Sequence, residues 1–278
     1  MTHETLDQSR PQPPARDDIL ARAAAYRWFH RIRLYGDYET PGIDNTPEKL
    51  QVLDLLGLPK NMTGKRVLDI GAWDGFFSFE CERRGAEVVA LDHVQSTDTG
   101  FHIAAQALDS KVTWTVANIY HLSPEELGRF DIVLCLGVIY HLRHVLLGLD
   151  RVRSIMAEGA DLFVETAAID NHAQLDGGHF GSFAQACLGA NSTPLLQLYP
   201  EKELGGDPTN FFAPNHSGLR GLLKAAEFDV VNSLSGPGPL PSRALAHARA
   251  TVNPEIAFYR DRDSAVLERR NYFTEQVE

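Results

Sequence analysis

The sequence predicts an α/β fold built on a doubly wound, mainly parallel sheet, and three observations carry that prediction. Apolar runs alternate with helical stretches through the middle of the chain, with strands expected near residues 66–70, 87–91, 112–117, 131–136 and 161–167. The first run, Val67-Leu68-Asp69-Ile70, passes directly into Gly71-Ala72-Trp73-Asp74-Gly75-Phe76-Phe77, the pattern of a buried strand, a glycine-lined turn and a helix. The second run, Ala86 to Leu91, ends in an acid, Asp92, about twenty residues past the glycines, the separation at which a carboxylate reaches the ribose of a bound nucleoside.

The remaining segments are read in order around this core. Met1 to Asp18 is polar, carries Pro11, Pro13 and Pro14, and reads as a disordered tail. Residues 19–62 read as helical, with an amphipathic stretch from Ile19 to Phe29 and a short helix over Leu50 to Leu56, and form a candidate N-terminal lid. Residues 63–278 hold the nucleotide-binding core. After Asp170 the alternation fails for about forty residues, a length that marks a functional insertion, placed at about 171–209. Regularity returns with a helix over Ser217 to Glu227, then Asp229-Val230-Val231 and Ala244 to Ala248 as antiparallel closing strands.

Composition narrows the classes of function. At 278 residues the chain suits one large α/β domain with additions. It has no run of eighteen apolar residues and no signal peptide pattern, so no membrane association is expected and the location is read as cytoplasmic. Cys81, Cys135 and Cys187 are far apart and odd in number, which fits reduced thiols. The net charge of −11 disfavours nucleic acid without excluding a local basic patch.

The turn also speaks to the cofactor. A dinucleotide site would present Gly-x-Gly-x-x-Gly and bare helix N–H groups to a pyrophosphate. This chain offers Asp69-x-Gly71-x-x-x-Gly75, with Asp74 placed to cap the helix and repel a phosphate. The same carboxylates suit an ammonium group. A ligand with an ammonium at one end and an adenosine at the other is S-adenosylmethionine (SAM). Asn118, after the third strand, is a candidate contact for the adenine, with a simple turn cap as the alternative.

At this point the residues resemble a known family. The core is similar to the class I SAM-dependent methyltransferases, whose Rossmann-like fold implies a sheet of seven strands. More narrowly, Trp28-Phe29-His30, Leu34-Tyr35-Gly36, Phe130 to Arg143 with its Gly137-Val138-Ile139-Tyr140-His141 segment, and Asn210 to Asn215 resemble the tRNA wobble-uridine (5-oxyacetyl-forming) methyltransferase-like group. The resemblance implies that Gly71, Asp92, Asn118 and Leu136 line the cofactor and that Tyr140 lies beside the sulfonium. Asp69, Ala72, Asp74, Gly75, His93 and Ile119 complete the expected cofactor set, together with Trp28 and Tyr35 as aromatics packed over it, ordinary core packing being the alternative for these two. Val145 departs from the proline usual in that stretch.

The expected chemistry is an in-line methyl transfer, in which alignment and exclusion of water matter most. A hydroxyl acceptor also needs a base. His141, directly after the fourth strand beside Tyr140, is the first candidate, and His179, flanked by glycines in the insertion, is the second; a loop-holding role is the alternative for each. Glu165, at the end of the fifth strand, is expected to orient the acceptor or to pair structurally. His216 is expected to help begin the next helix. The His141-x-x-His144 and Asp176…His179 spacings lack a third ligand, so no metal is expected.

The sequence reading is therefore a SAM-dependent methyltransferase acting on a small-molecule acceptor, with an oxygen nucleophile. The alternatives are a tRNA wobble-uridine-type (carboxy)methyltransferase and a non-catalytic SAM-binding protein. The resemblance also implies that the tRNA enzymes bind a carboxylated SAM through basic residues, including a lysine where His30 stands here. No counterpart of their later arginine is expected, the chain running through Gly236-Pro237-Gly238-Pro239. Plain SAM and methyl transfer follow. Acceptor identity and oligomeric state are left open.

Overall fold

The computed structural model describes residues 15–44, 46–183, 192–236, 240 and 242–252. Its centre is a seven-stranded sheet. Five parallel strands, β3 (Arg66–Ile70), β4 (Glu87–Asp92), β5 (Thr113–Val116), β6 (Phe130–Leu136) and β7 (Met156–Ala167), are joined by β13 (Arg243–Ala250), antiparallel to β7, and by β12 (Phe228–Ser235). The order across the sheet is β12-β13-β7-β6-β3-β4-β5. The order reverses between β3 and β6, where two parallel strands run side by side and their following loops diverge. Ligands of open α/β sheets bind in the crevice at such a point.

The strands form because they are apolar on both faces, as parallel strands covered by helices must be. Leu68, Val133, Leu162 and Val164 are fully buried against one helical layer, while Val67, Leu134 and Phe163 are buried against the other. The covering helices include α3 (Phe76–Arg83), α4 (Phe101–Leu108), α5 (Pro124–Leu127), α6 (Val145–Ser154) and α7 (His216–Ala225). Among the described residues no helix is long and apolar enough to cross a membrane.

Several local expectations are corrected. The first helix, α1 (Arg16–Ala25), starts within the expected tail and stops before Tyr26, so Arg16, Asp17 and Asp18 are ordered and Trp28-Phe29 lie beyond the helix. Residues 1–14 of that tail lie outside the described residues. The stretch to 62 is only partly helical: a small hairpin, β1 (Arg33–Leu34) with β2 (Tyr38–Glu39), precedes α2 (Thr46–Leu55). The region after Asp170 holds two further hairpins. β8 (Ala173–Gln174) pairs with β9 (Phe180–Gly181), and β10 (Leu196–Leu198) with β11 (Phe212–Pro214). The helix α7 begins at His216, as expected, and Asn215 caps it, its side chain accepting from the Gly218 N–H at 2.7 Å. Cys81 and Cys135 are buried free thiols, the latter pushed up to about 12 by burial, and Cys187 lies outside the described residues.

Candidate functional site

The crevice at the reversal is assembled by four chain segments. The β3 turn places Gly71 (φ +72) so that a Cβ would strike the Val138 side chain at 2.5 Å, which brings the loop after β6 against it. Gly75 (φ +87) sits under Phe101 and Phe79, where a Cβ would lie within 2.7 Å of either ring. The Gly71 and Ala72 N–H groups donate to the Leu91 carbonyl, which ties the turn to the end of β4. Asp92, buried at that end, accepts from the Trp73 N–H at 3.0 Å and from the His93 N–H at 2.7 Å. Its carboxylate also meets the exposed His93 ring, Nδ1 at 2.9 Å. Two backbone amides thus hold the carboxylate in one orientation at the mouth of the crevice.

Asn118 follows β5. Its side-chain oxygen accepts from the Tyr120 N–H at 3.0 Å, so it caps the turn that buries Ile119. Leu136 ends β6, and Gly137 (φ +77) turns the chain into Ile139-Tyr140-His141, with its N–H donating to the Glu165 carbonyl.

The other acids do different work from that expected. Asp74 does not cap α3, whose first position is taken by Gly75 without a side-chain hydrogen bond. It is fully buried and accepts from the Phe29, His30 and Gly100 N–H groups at 2.7, 3.1 and 2.9 Å. Its charge is spent on fastening the N-terminal segment to the core. Asp69 is also turned inward, accepting from Ser78 Oγ at 2.6 Å, and burial raises its pKa to about 7. Neither carboxylate is free for an ammonium group.

The two aromatics pack against the protein itself, the alternative open to them from the sequence. Trp28 is 2% exposed, donates its Nε1–H to the Ala23 carbonyl at 2.8 Å and fills the space over Gly100. Tyr35 occupies the turn of the first hairpin with the Arg16 guanidinium 5.2 Å from its ring centre. Both serve the packing of the N-terminal segment.

Beyond Gly137 the structure gathers charged groups that the sequence reading only touched. Glu165 is fully buried, with Arg243 Nε at 3.3 Å and Lys49 Nζ at 3.7 Å from Oε1; Lys49 also meets Asp44 at 3.1 Å. The Arg243 guanidinium carbon lies 5.3 Å from the Tyr140 ring centre. A Cβ on Gly137 would lie 3.6 Å from Glu165 Oε2 and 3.7 Å from the Tyr140 hydroxyl, so both face the space this glycine leaves open. Four buried atoms here make no hydrogen bond within the protein: both Glu165 carboxylate oxygens, Arg243 Nη1 and His30 Nδ1. His30 stays neutral, its pKa lowered to about 3 by burial and by Lys49. Arg243, from β13, reaches this region a few residues after Gly236-Pro237-Gly238-Pro239. Lys49, Asp44 and Arg243 were missed because α2 and β13 meet only in the fold; the orphaned charges of an otherwise apolar strand end were the available signal.

His141 accepts nothing at Nδ1. That nitrogen lies 3.1 Å from the Thr209 carbonyl, which only accepts, so the neutral ring carries its proton on Nδ1 and its lone pair on Nε2. Burial lowers its pKa, opposed by the hydrogen bond to Thr209, so the ring is neutral at pH 7. The ring ties the segment after β6 to Thr209 and keeps one basic nitrogen. His179 is exposed at the β8–β9 turn, and His144 turns toward Tyr120. Among the described residues no group of His, Cys, Asp and Glu is arranged to hold a metal ion.

The cofactor suggested by the sequence can be tested against these groups. A glycine turn after β3, a carboxylate on the neighbouring strand fixed by two backbone amides and a glycine after β6 bring polar backbone and one held carboxylate together at the crevice. The residues fit.

Comparison with known proteins agrees with this geometry. A family model described as a methyltransferase domain matches residues 47–233. The chain belongs to this methyltransferase-domain family, of the class I, SAM-dependent kind. Among curated relatives it is 26% identical over 211 residues to a tRNA U34 carboxymethyltransferase of Desulforapulum autotrophicum, covering 73% of this chain and 58% of that one. It is 25% identical to the protein of the same name from Campylobacter concisus, covering 67% and 57%. The chain thus spans little more than half the length of these relatives. Among solved structures, the N-terminal domain of EvdMO1 with S-adenosylhomocysteine (SAH) and D-fucose superimposes with a TM-score of 0.57 at 20% identity, covering 84% of this chain and 97% of that one. A Burkholderia thailandensis 1,6-didemethyltoxoflavin-N1-methyltransferase does so with a TM-score of 0.51 at 21% identity, covering 74% and 77%. These likenesses concern the fold.

Proposed function

We propose that the protein transfers the methyl group of SAM to an oxygen nucleophile on a small polar molecule. The observation that carries this reading is the cluster behind Gly137, where the buried Glu165 carboxylate, whose oxygens make no hydrogen bond within the protein, faces the same space as the Tyr140 hydroxyl, with Arg243 Nε 3.3 Å from its other oxygen. Ion pairs with Arg243 and Lys49 balance the Glu165 charge, yet buried polar atoms without a hydrogen bond still cost about 1–3 kcal/mol each. A compact acceptor bearing both donors and acceptors would satisfy them. The long phosphate backbone of a nucleic acid is matched instead by broad basic surfaces, and the overall charge of −11 works against it.

In this reading Asp92 receives the ribose hydroxyls, while Gly71, Ala72, Gly75, His93, Asn118, Ile119 and Leu136 border the nucleoside. SAM supplies a methyl group already activated by its sulfonium. The chain's part is to align the acceptor, exclude water and accept one proton. Tyr140 and Glu165 would orient the acceptor hydroxyl, and His141 Nε2 would take its proton as the new C–O bond forms and the methyl–sulfur bond breaks, the sulfonium leaving as a neutral thioether. Residues 19–62 act as the lid, and the insertion at about 171–209, with His179 at a hairpin turn, shapes the acceptor side.

A tRNA wobble-uridine substrate is the second reading, favoured by the activity for which the curated relatives are named. One experiment separates the two. Purified protein with radiolabelled SAM is offered bulk tRNA and, separately, a panel of hydroxylated small molecules. Label in a small-molecule product supports the proposal; label only in tRNA overturns it.

A further inference from the structure

The turn after β3 contains a residue that neither the core nor the hydrogen bonds explain. Trp73 has φ +49, in the left-handed region that glycine enters freely and a bulky side chain does not. Its neighbours Ala72 and Asp74 are 3% and 0% exposed, whereas Trp73 is 37% exposed, so part of the indole stands outside the core. The one hydrogen bond from this residue that shapes the turn comes from its backbone N–H, which donates to Asp92 Oδ2 at 3.0 Å and would do so from any residue with that backbone. A large aromatic retained in an unfavourable conformation, projecting outward beside a carboxylate at a ligand-binding crevice, points to a contact made outside the protein itself.

We infer that the Trp73 indole is the outer wall of the nucleoside pocket and closes over the ribose held by Asp92. The inference rests on the assignment of this crevice to SAM and extends it to a specificity-determining residue. A flat ring with an apolar face covers a ribose well, and its π face also favours the positive charge carried by the cofactor.

The test is a pair of substitutions, W73G and W73F, with SAH as the probe in calorimetry, thermal unfolding and tryptophan emission. Glycine suits φ +49, so W73G should melt at or above the wild-type temperature while its affinity for SAH falls about tenfold or more. W73F should keep affinity within about threefold, because the ring face remains. SAH should change the emission of the wild type and leave that of W73F, which still carries Trp28 and Trp114, unchanged. Undiminished SAH affinity in W73G overturns the inference. So does a lowered melting temperature in W73G, which would make the indole a packing residue. Failure of the wild type to bind SAH would overturn both the inference and the cofactor assignment beneath it, whereas binding by wild type and W73G alike removes the inference alone.

Discussion

Replacing Asp74 with alanine tests how the N-terminal segment is fastened to the cofactor turn. The carboxylate accepts three backbone hydrogen bonds, from Phe29, His30 and Gly100, in a site with no solvent exposure. Hydrogen bonds to a charged group contribute about 1.5–3 kcal/mol each, which sets a ceiling of roughly 5–9 kcal/mol for the three. Burial opposes this, since it raises the Asp74 pKa while the three amides pull it back. The carboxylate's own desolvation must be subtracted. Alanine abolishes that penalty but leaves the His30 and Gly100 N–H groups buried without this acceptor, each at about 1–3 kcal/mol. The expected net loss is about 3–5 kcal/mol. Urea denaturation measures it globally, and hydrogen exchange at the Phe29 and His30 amides measures it locally. A loss below about 1 kcal/mol, well under the usual range for a broken buried network, together with unchanged exchange at both amides would refute the reasoning.

Three further outcomes follow from the site. Asp92→Ala should weaken SAH binding by roughly tenfold to more than a hundredfold, the loss of about 1.5–3 kcal/mol of charge-assisted bonding; unchanged calorimetric affinity in a folded variant removes Asp92 from the site. Asp69, with a folded pKa raised from 3.8 to about 7 by burial, keeps its proton after the unfolded chain has released its own, so stability falls as pH rises from about 4 to about 7 and then levels. Asp69→Asn should abolish that contribution, worth up to about 4 kcal/mol, and an unaltered difference between denaturation at pH 5 and pH 8 would count against it. Methyl transfer should survive EDTA; a loss reversed only by added Mg²⁺ or Zn²⁺ would reveal a metal requirement.

The sheet was legible in the sequence because parallel strands buried on both faces leave continuous apolar runs, and each of the five expected runs falls on a strand. The turn at Gly71 and the position of Asp92 were legible because they are local to one βαβ unit. What the other acids do was not. Asp69 and Asp74 look alike as carboxylates flanking a glycine turn, yet one faces Ser78 in the core and the other the amides of a segment more than forty residues earlier. Sequence spacing does not tell which way a side chain at a turn will point. Trp28 and Tyr35 pack the N-terminal segment, the role expected of an ordinary core aromatic. The cluster of Lys49, Glu165 and Arg243 joins residues from α2, β7 and β13, and only the antiparallel pairing that sets Arg243 opposite Ala167 brings them together.

That cluster decides which form of the cofactor the site should prefer. Arg243 reaches the region, so the charges must be counted. Arg243 and Lys49 supply two cations, and Glu165 and Asp44 supply two carboxylates within 4 Å of them. His30, where the resembling tRNA enzymes carry a lysine, is held neutral with its pKa lowered to about 3. The balance is zero before any ligand arrives. A carboxylated SAM would add an unmatched anion beside buried Glu165, and the desolvation of such a charge amounts to several kcal/mol unless a cation is free to meet it. Plain SAM adds no anion on the transferred group. It should therefore bind at least tenfold more tightly than carboxy-SAM, a difference of about 1.4 kcal/mol or more. Displacement of labelled SAH by each cofactor in turn measures the ratio, and tighter binding of carboxy-SAM would overturn both the charge count and the preference for methyl transfer to a small molecule.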